Sequence, residues 1–256
     1  MRALRHLQKP PTKERKTMAA KSIFITGTDT GVGKTVASAA IAMLLRRMGH
    51  KVAVMKPVTS GCIERDGHLV SEDAELLCYA AGVPVTADSA PYLLKAPVAP
   101  SIAASQDGVR ISFDTIKEAY QRLAESNDFV IVEGAGGLMV PLAGGLLVAD
   151  LAQHLGLPIA VVARPDLGTV NHTLLTVFCA RTMGLTVKGV IVNRYPDTPG
   201  EAESYAPHMI DSLSGAQLLG LFPETGGKDD REVTERLVDR LLQQPATGIM
   251  LRELFD

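Results

Sequence analysis

Six short apolar runs constrain this chain more than any other feature. In order they are "SIFIT" (22–26), "KVAVM" (51–55), "FVIV" (129–132), "PIAVVA" (158–163), "VKGVIV" (187–192) and "LLGLF" (218–222). Each is apolar on both alternating faces or nearly so, which suits a strand covered on both sides. Stretches with helical spacing lie between them. Residues 34–48 carry Val36, Ala40, Ile41, Leu44 and Met48 on one face and stop at Gly49. Residues 113–125 follow Ser112 as an N-cap, 171–183 end at Gly184, and a further helix is expected over 229–243. Another opens at "SEDAELL", with Ser71 or Glu72 near its cap. Such alternation implies βαβ units with right-handed crossovers. The predicted fold is therefore a three-layer α/β/α with a mostly parallel, doubly wound sheet. The segment 83–111 holds Pro84, Pro91, Pro97 and Pro100 and reads as a long loop across one end.

With 256 residues, 46% of them hydrophobic, the chain can bury a sizeable core, and one domain over 21–256 is expected. The first twenty residues, "MRALRHLQKPPTKERKTMAA", are basic and lack the apolar segment of a secretory signal. They read as a disordered tail, with Met18 as an alternative start. A net charge of −2 gives no reason to expect a nucleic-acid surface, and no apolar run is long enough for a membrane span. Cys62, Cys78 and Cys179 lack metal-type spacing and fit a reduced, cytoplasmic setting.

Parallel strands all end on one edge, and ligands of open α/β sheets bind there. The six exits read "GTDTGVGKT", "KPVTSG", "EGAGG", "RPDLGT", "NR" and "PETGG". The first has the context of a phosphate loop, running from strand through glycines into a helix at Lys34-Thr35. Glycines at 31 and 33 let backbone N–H groups turn inward around phosphate oxygens, and the helix N-terminus adds its dipole. Lys34 would neutralise the outer phosphates, and Thr35 would hold a magnesium ion. The spacing departs from the usual pattern: Thr28 stands where a glycine is expected, and the glycine falls one place earlier, at Gly27.

"VIVEGAGG" supplies Glu133 as a metal group, bound directly or through water, or else a solvated strand-end acid. Lys56 follows the second strand, which Pro57 should stop, and points along the ligand edge; alone it would read as a surface lysine. Asp73 lies in the first turn of its helix, where acids are common in any case. Asn193 offers an amide able to read a base edge. Gly168, Thr169 and Asn171 stand at a helix N-terminus, while His172 reads as packed or solvated.

Taken together and in order, "GTDTGVGKT", "KPVTSG", "SEDA", "EGAGGLMVPL", "ARPDLGTVNHTLLT", "VNR" and "LLGLFPE" resemble the dethiobiotin synthetases, a family of the P-loop NTPase type. The likeness spans about residues 21–227 and includes the displaced glycine. It implies an ATP- and Mg²⁺-dependent ligase of biotin synthesis that acts on 7,8-diaminononanoate and CO₂ or bicarbonate. It further implies a homodimer without nucleic-acid or membrane partners. Carried over by position, Lys34 would bind phosphates, Thr35, Asp73 and Glu133 would hold Mg²⁺, and Lys56 would be the catalytic cation. Thr30 and Ser60 would touch substrate or phosphate. The backbone of Gly31, Val32, Gly33, Lys34, Thr35 and Val36, and of Glu133, Gly134, Ala135 and Gly136, would line the nucleotide. Asn193 and Arg194, with Phe222, Pro223 and Glu224, would hold the base, and Gly168 to Asn171 would reach the substrate carboxylate from the partner subunit. Some family members carry Glu at the position of Gly31.

Two rival classes share such a loop. A cobyrinate-type amide synthetase would need a further glutaminase domain. A partition or division ATPase switch would be expected to carry a lysine early in the loop, where this chain has Thr28 and Asp29.

Overall fold

The computed structural model describes residues 20–256, so the basic stretch read as a tail, with Met18, lies outside the described residues. β1 (Lys21–Gly27) leads through the glycine loop into α1 (Lys34–Arg47) and β2 (Val52–Met55). Short strands β3 (Val58–Thr59), β4 (Ile63–Arg65) and β5 (His68–Val70) precede α2 (Glu72–Ala81). Then come β6 (Tyr92–Leu93), α3 (Pro100–Asp107), α4 (Phe113–Ser126), β7 (Phe129–Gly137), β8 (Pro141–Ala143) and β9 (Leu146–Leu147). The remainder is α5 (Val148–Leu155), β10 (Ile159–Ala163), α6 (Thr169–Thr182), β11 (Val187–Tyr195), α7 (Glu201–Leu213), β12 (Leu218–Pro223), α8 (Asp230–Leu242) and α9 (Thr247–Phe255).

The central sheet has the order β12-β11-β10-β1-β7-β2, and every pairing in it is parallel. Its strands are the six apolar runs. Alternate residues feed opposite cores. Ile23, Ile25, Val54 and Ile131 pack with α1, α2, α8 and α9, while Phe24, Met55, Val130 and Val132 pack with α4, α5 and α6. The three predicted layers follow from that division. The chain leaves β1 toward β2 and leaves β10 toward β11, so the connections diverge where β1 and β10 lie side by side. The glycine loop stands at that switch point, where a ligand crevice forms.

Two expectations are corrected. The segment 83–111 is not a plain loop, because it contains β6 and α3. Pro100 occupies the first turn of α3, where its missing N–H costs nothing, so a residue taken as a breaker begins a helix. β7 continues through Gly137 and β11 through Tyr195, so Glu133, Asn193 and Arg194 lie inside strands rather than after them. Pro57 does end β2, but β2 is an edge strand. The caps agree with the sequence: the Ser71 hydroxyl accepts from the Ala74 N–H, and the Ser112 hydroxyl accepts from that of Thr115.

At the sheet edge opposite the glycine loop, Lys21 at the start of β1 pairs with Asp256 after α9. The Phe255 ring packs edge-on against Phe129 at the start of β7.

Candidate active site

The glycine loop owes its shape to two backbone reversals. Gly31 (φ 77°) and Gly33 (φ 84°) adopt left-handed conformations, alternating with ordinary residues as in an anion-binding nest. A Cβ on Gly33 would lie 2.2 Å from Nδ2 of Asn193, so only glycine fits. Gly33 caps α1 without a side-chain hydrogen bond, and the first turn has no acid, which suits the first-turn N–H groups to an anion. Two elements brace the loop. Gly137 of β7 pairs with Gly27 after a register shift. Asn193 of β11 donates to the carbonyls of Val32 (3.0 Å) and Gly33 (3.2 Å), and Arg194 donates to that of Gly31 (3.1 Å). The Asn193 donor is thus engaged by the loop, leaving its amide oxygen as an acceptor for a ligand.

Lys34 is buried and donates to the Asp29 carbonyl at 3.0 Å. Burial lowers its ammonium pKa to about 8; Glu133 opposes that shift and Lys56 adds to it.

Four side chains from separate elements converge beside it. Glu133 is two residues beyond Ile131 and Lys56 two beyond Val54, so strand alternation turns both toward the α1 face. Lys56 Nζ lies 2.6 Å from Oε1 of Glu133 and 2.7 Å from Oδ2 of Asp73. The Thr35 hydroxyl, in the first turn of α1, is 2.8 Å from the same Glu133 oxygen and 3.2 Å from Oδ1 of Asp73. It can donate to one of them at a time. Asp73 is fixed through Ser71, whose hydroxyl both caps α2 and meets the Thr59 hydroxyl at 2.9 Å.

Lys56 is 4% exposed and Glu133 is 0%. Burial pulls the Lys56 pKa down, but Glu133 and Asp73 outweigh it and hold the ammonium well above the ordinary lysine range. Burial likewise pushes the Asp73 carboxyl up, yet Lys56, Thr35 and Lys34 together hold it below the usual range.

A buried ion pair with one spare acceptor is an arrangement that can take a second cation. Oε2 of Glu133 is buried without a hydrogen-bond partner. Among the described residues no group of three or more His, Cys, Asp or Glu side chains could hold a metal by itself. Two carboxylates and a hydroxyl beside a phosphate loop fit a hard ion that keeps several waters and shares phosphate oxygens.

On the other side of the loop lies an open cavity of about 450 Å³, walled by Thr30, Gly31, Val32, Arg194 and Glu224 with Arg164 to Asp166, Pro196 and Glu203. Phe222 is fully buried and Pro223 is buried, so of residues 222–224 only Glu224 reaches the cavity wall. Arg164, Pro196 and Glu203 carry no motif in the sequence that marks them as cavity residues. Arg164 opens "RPDLGT", and its place after an apolar strand was the available signal. Ser60 is half-buried in the turn after β3. Asn171 is exposed on α6, away from the charged cluster in sequence and sheet position.

A parallel sheet with a Lys-Thr glycine loop at its switch point and a carboxylate on the adjacent strand defines a nucleotide-binding protein of the P-loop class. The comparisons narrow this. A family model described as an AAA domain matches residues 21–229. The ATP-dependent dethiobiotin synthetase BioD of Bacillus subtilis subsp. natto is 39% identical over 222 residues, 86% of this chain and 95% of the relative. That of Bacillus cereus (strain G9842) is 42% identical over 213 residues, 82% and 86% of the two chains. The chain belongs to the dethiobiotin synthetase family. Solved structures share the fold at low identity. A ParA family ATPase from Chlorobium tepidum TLS aligns with TM-score 0.57 and 14% identity, covering 93% of this chain and 98% of that one. The MinD cell division protein of Aquifex aeolicus aligns at 0.54 and 19%, covering 92% and 95%.

Proposed function

We propose that this chain closes the ureido ring of dethiobiotin from 7,8-diaminononanoate, CO₂ and ATP. The observation that carries the reading is the Lys56 ammonium, held charged and buried beside the phosphate loop, in a chain that matches synthetases over most of their length. A switch needs only to bind and hydrolyse ATP. A buried cation aimed along the ligand edge suits transfer of a phosphoryl group to an anionic acceptor.

The chemistry runs in three steps. One substrate amine adds to CO₂ and loses a proton, giving a carbamate. A carbamate oxygen attacks the γ-phosphorus of ATP and ADP leaves, giving a carbamic–phosphoric anhydride. The second amine attacks the carbamoyl carbon, phosphate leaves, and the cyclic urea is formed with loss of a proton. Phosphorylation supplies the leaving group that a carbamate lacks, so positioning and charge stabilisation dominate.

Lys34 and the backbone of Gly31 to Val36 bind the phosphates. Lys56 stabilises charge shared between carbamate and γ-phosphate, with Thr30 and Ser60 at the substrate. Thr35, Asp73 and Glu133 would hold Mg²⁺, which neutralises phosphate charge when bound. The backbone of Glu133 to Gly136 lines the nucleotide, and Asn193, Arg194 and Glu224 stand at its base.

The enzyme works as a cytoplasmic homodimer. Support comes from an exposed apolar patch, with Leu175 (54% exposed) and Phe178 (68%) on α6 and Leu167 (84%) in the turn just before its Gly168 cap; Asn171 lies between the leucines in sequence. A surface that brings α6 of one protomer to the other would deliver Asn171 to the substrate carboxylate. Sedimentation equilibrium giving a monomer mass overturns the dimer.

The test of the activity is ATP cleavage with the diamine and bicarbonate added singly and together, with mass detection of the ring-closed product. Cleavage should require both. Rapid hydrolysis indifferent to the diamine would sink the synthetase reading in favour of a switch.

A further inference from the structure

We propose that Arg240, on α8, is a positioning residue for the base end of the nucleotide. This rests on the reading of the open cavity as the nucleotide's base site. Arg240 lies beyond residue 229, where the match to the AAA-domain model ends.

The guanidinium spans two loops. Its Nη1 donates to the Glu224 carbonyl at 2.9 Å and stands 3.5 Å from Oδ2 of Asp197, while its Nη2 pairs with Oδ1 of Asp197. Asp197 follows β11 and Glu224 follows β12. Their loops place Pro196 and Glu224 in the cavity wall. One planar fork therefore ties together the two strand exits that close the cavity's far end.

Neighbouring contacts lay the rest of the loop on the same helix. Arg236 donates to the Gly226 carbonyl at 3.0 Å, and the Thr225 hydroxyl donates to that of Val233 at 3.1 Å. A Cβ on Gly227 would come 2.8 Å from the Val233 nitrogen, so the backbone touches α8 directly. The sheet itself holds this loop through the Glu224 N–H on the Tyr195 carbonyl, 2.8 Å. An exposed Arg–Asp pair alone contributes little. Here the same side chain also fixes a backbone carbonyl, and so sets where the base wall stands.

The experiment uses the full chain. Arg240→Ala should raise the Kd of ATP, measured without the diamine, about tenfold. In turnover the KM for ATP should rise in step, with kcat at saturating ATP and the KM for the diamine unchanged. Inorganic tripolyphosphate, which has the phosphates and no base, should compete equally well against both proteins. Arg240→Lys should fall between them. Asp239→Ala, which breaks the Arg47–Asp239 pair elsewhere on α8, should leave ATP affinity unchanged. Unchanged ATP affinity in Arg240→Ala overturns the assignment. So does an equal loss for tripolyphosphate, or the same loss in Asp239→Ala. ATP binding without formation of the ring-closed product would remove the synthetase reading and leave the Arg240 result standing.

Discussion

The two sides of the glycine loop are built on different principles. Toward β7 and β2 the site is closed and charged: Lys56 and Glu133 are buried, and their ion pair is in place. Toward β10, β11 and β12 it is open, and its walls are loops with exposed Arg194 and Glu224. The closed side draws its precision from strand alternation, which aims side chains at fixed spacing. The open side draws its shape from loops that must be held by something else, here the loop-bracing Arg194 and the residues of α8. Chemistry sits where the backbone is most regular, and recognition sits where it is least so.

The largest effect should come from breaking the closed side. Lys56→Ala should lower kcat by roughly a thousandfold, the range seen when a preorganised charge is removed from a transition state. ATP affinity should stay within about threefold. The variant also leaves Glu133 and Asp73 without their ammonium, so the ligand-free protein should melt earlier. Near-normal turnover by single-turnover kinetics would take Lys56 out of its role and level the two sides.

The boundary between the sides can be probed by two glycines. Gly33→Ala adds left-handed strain and drives a Cβ into Asn193, and should weaken ATP binding about a hundredfold. Gly31→Ala has no atom within 4 Å of its added Cβ and faces strain alone, so about fivefold is expected. Calorimetric titration with ATP reads both. Equal losses would mean that Asn193 does not shape the loop.

The smallest effect needs no mutation. Lys34 is charged below about pH 8 in the ligand-free protein and loses its proton above that. ATP affinity should therefore be flat from pH 7 to 8 and then fall, by up to about tenfold per further pH unit. Affinity that stays level to pH 9.5 would show that Lys34 keeps its proton in the ligand-free protein, so that burial does not lower its pKa as far as about 8.

How much of this was legible in the sequence follows the same division. Strands buried on both faces leave uninterrupted apolar runs, so all six central strands could be read to within a residue at their starts. Lys56 and Glu133 could be placed because each follows such a run. Asp73 could be joined to Glu133 only through the family resemblance and not from the residues themselves, because its place depends on contacts between separate segments such as Ser71–Thr59. Strand ends were misjudged at Glu133 and Asn193 because a polar residue ends an apolar run without ending the ladder. α7 was missed partly because Pro207 lies inside it, and α3 because Pro100 begins it. Arg240 looks in the sequence like any solvated arginine of an amphipathic helix; only the folded chain shows which carbonyl it meets.

The pairing of Lys21 with Asp256 has a practical side. β1 is seven residues long, so it sets its start about 20 Å from the phosphate loop at its end. A dye, an affinity handle or a surface linkage fixed at Asp256 therefore hangs from the floor of the sheet, while nucleotide and substrate enter through its roof. Immobilised protein should present its binding edge outward without further engineering.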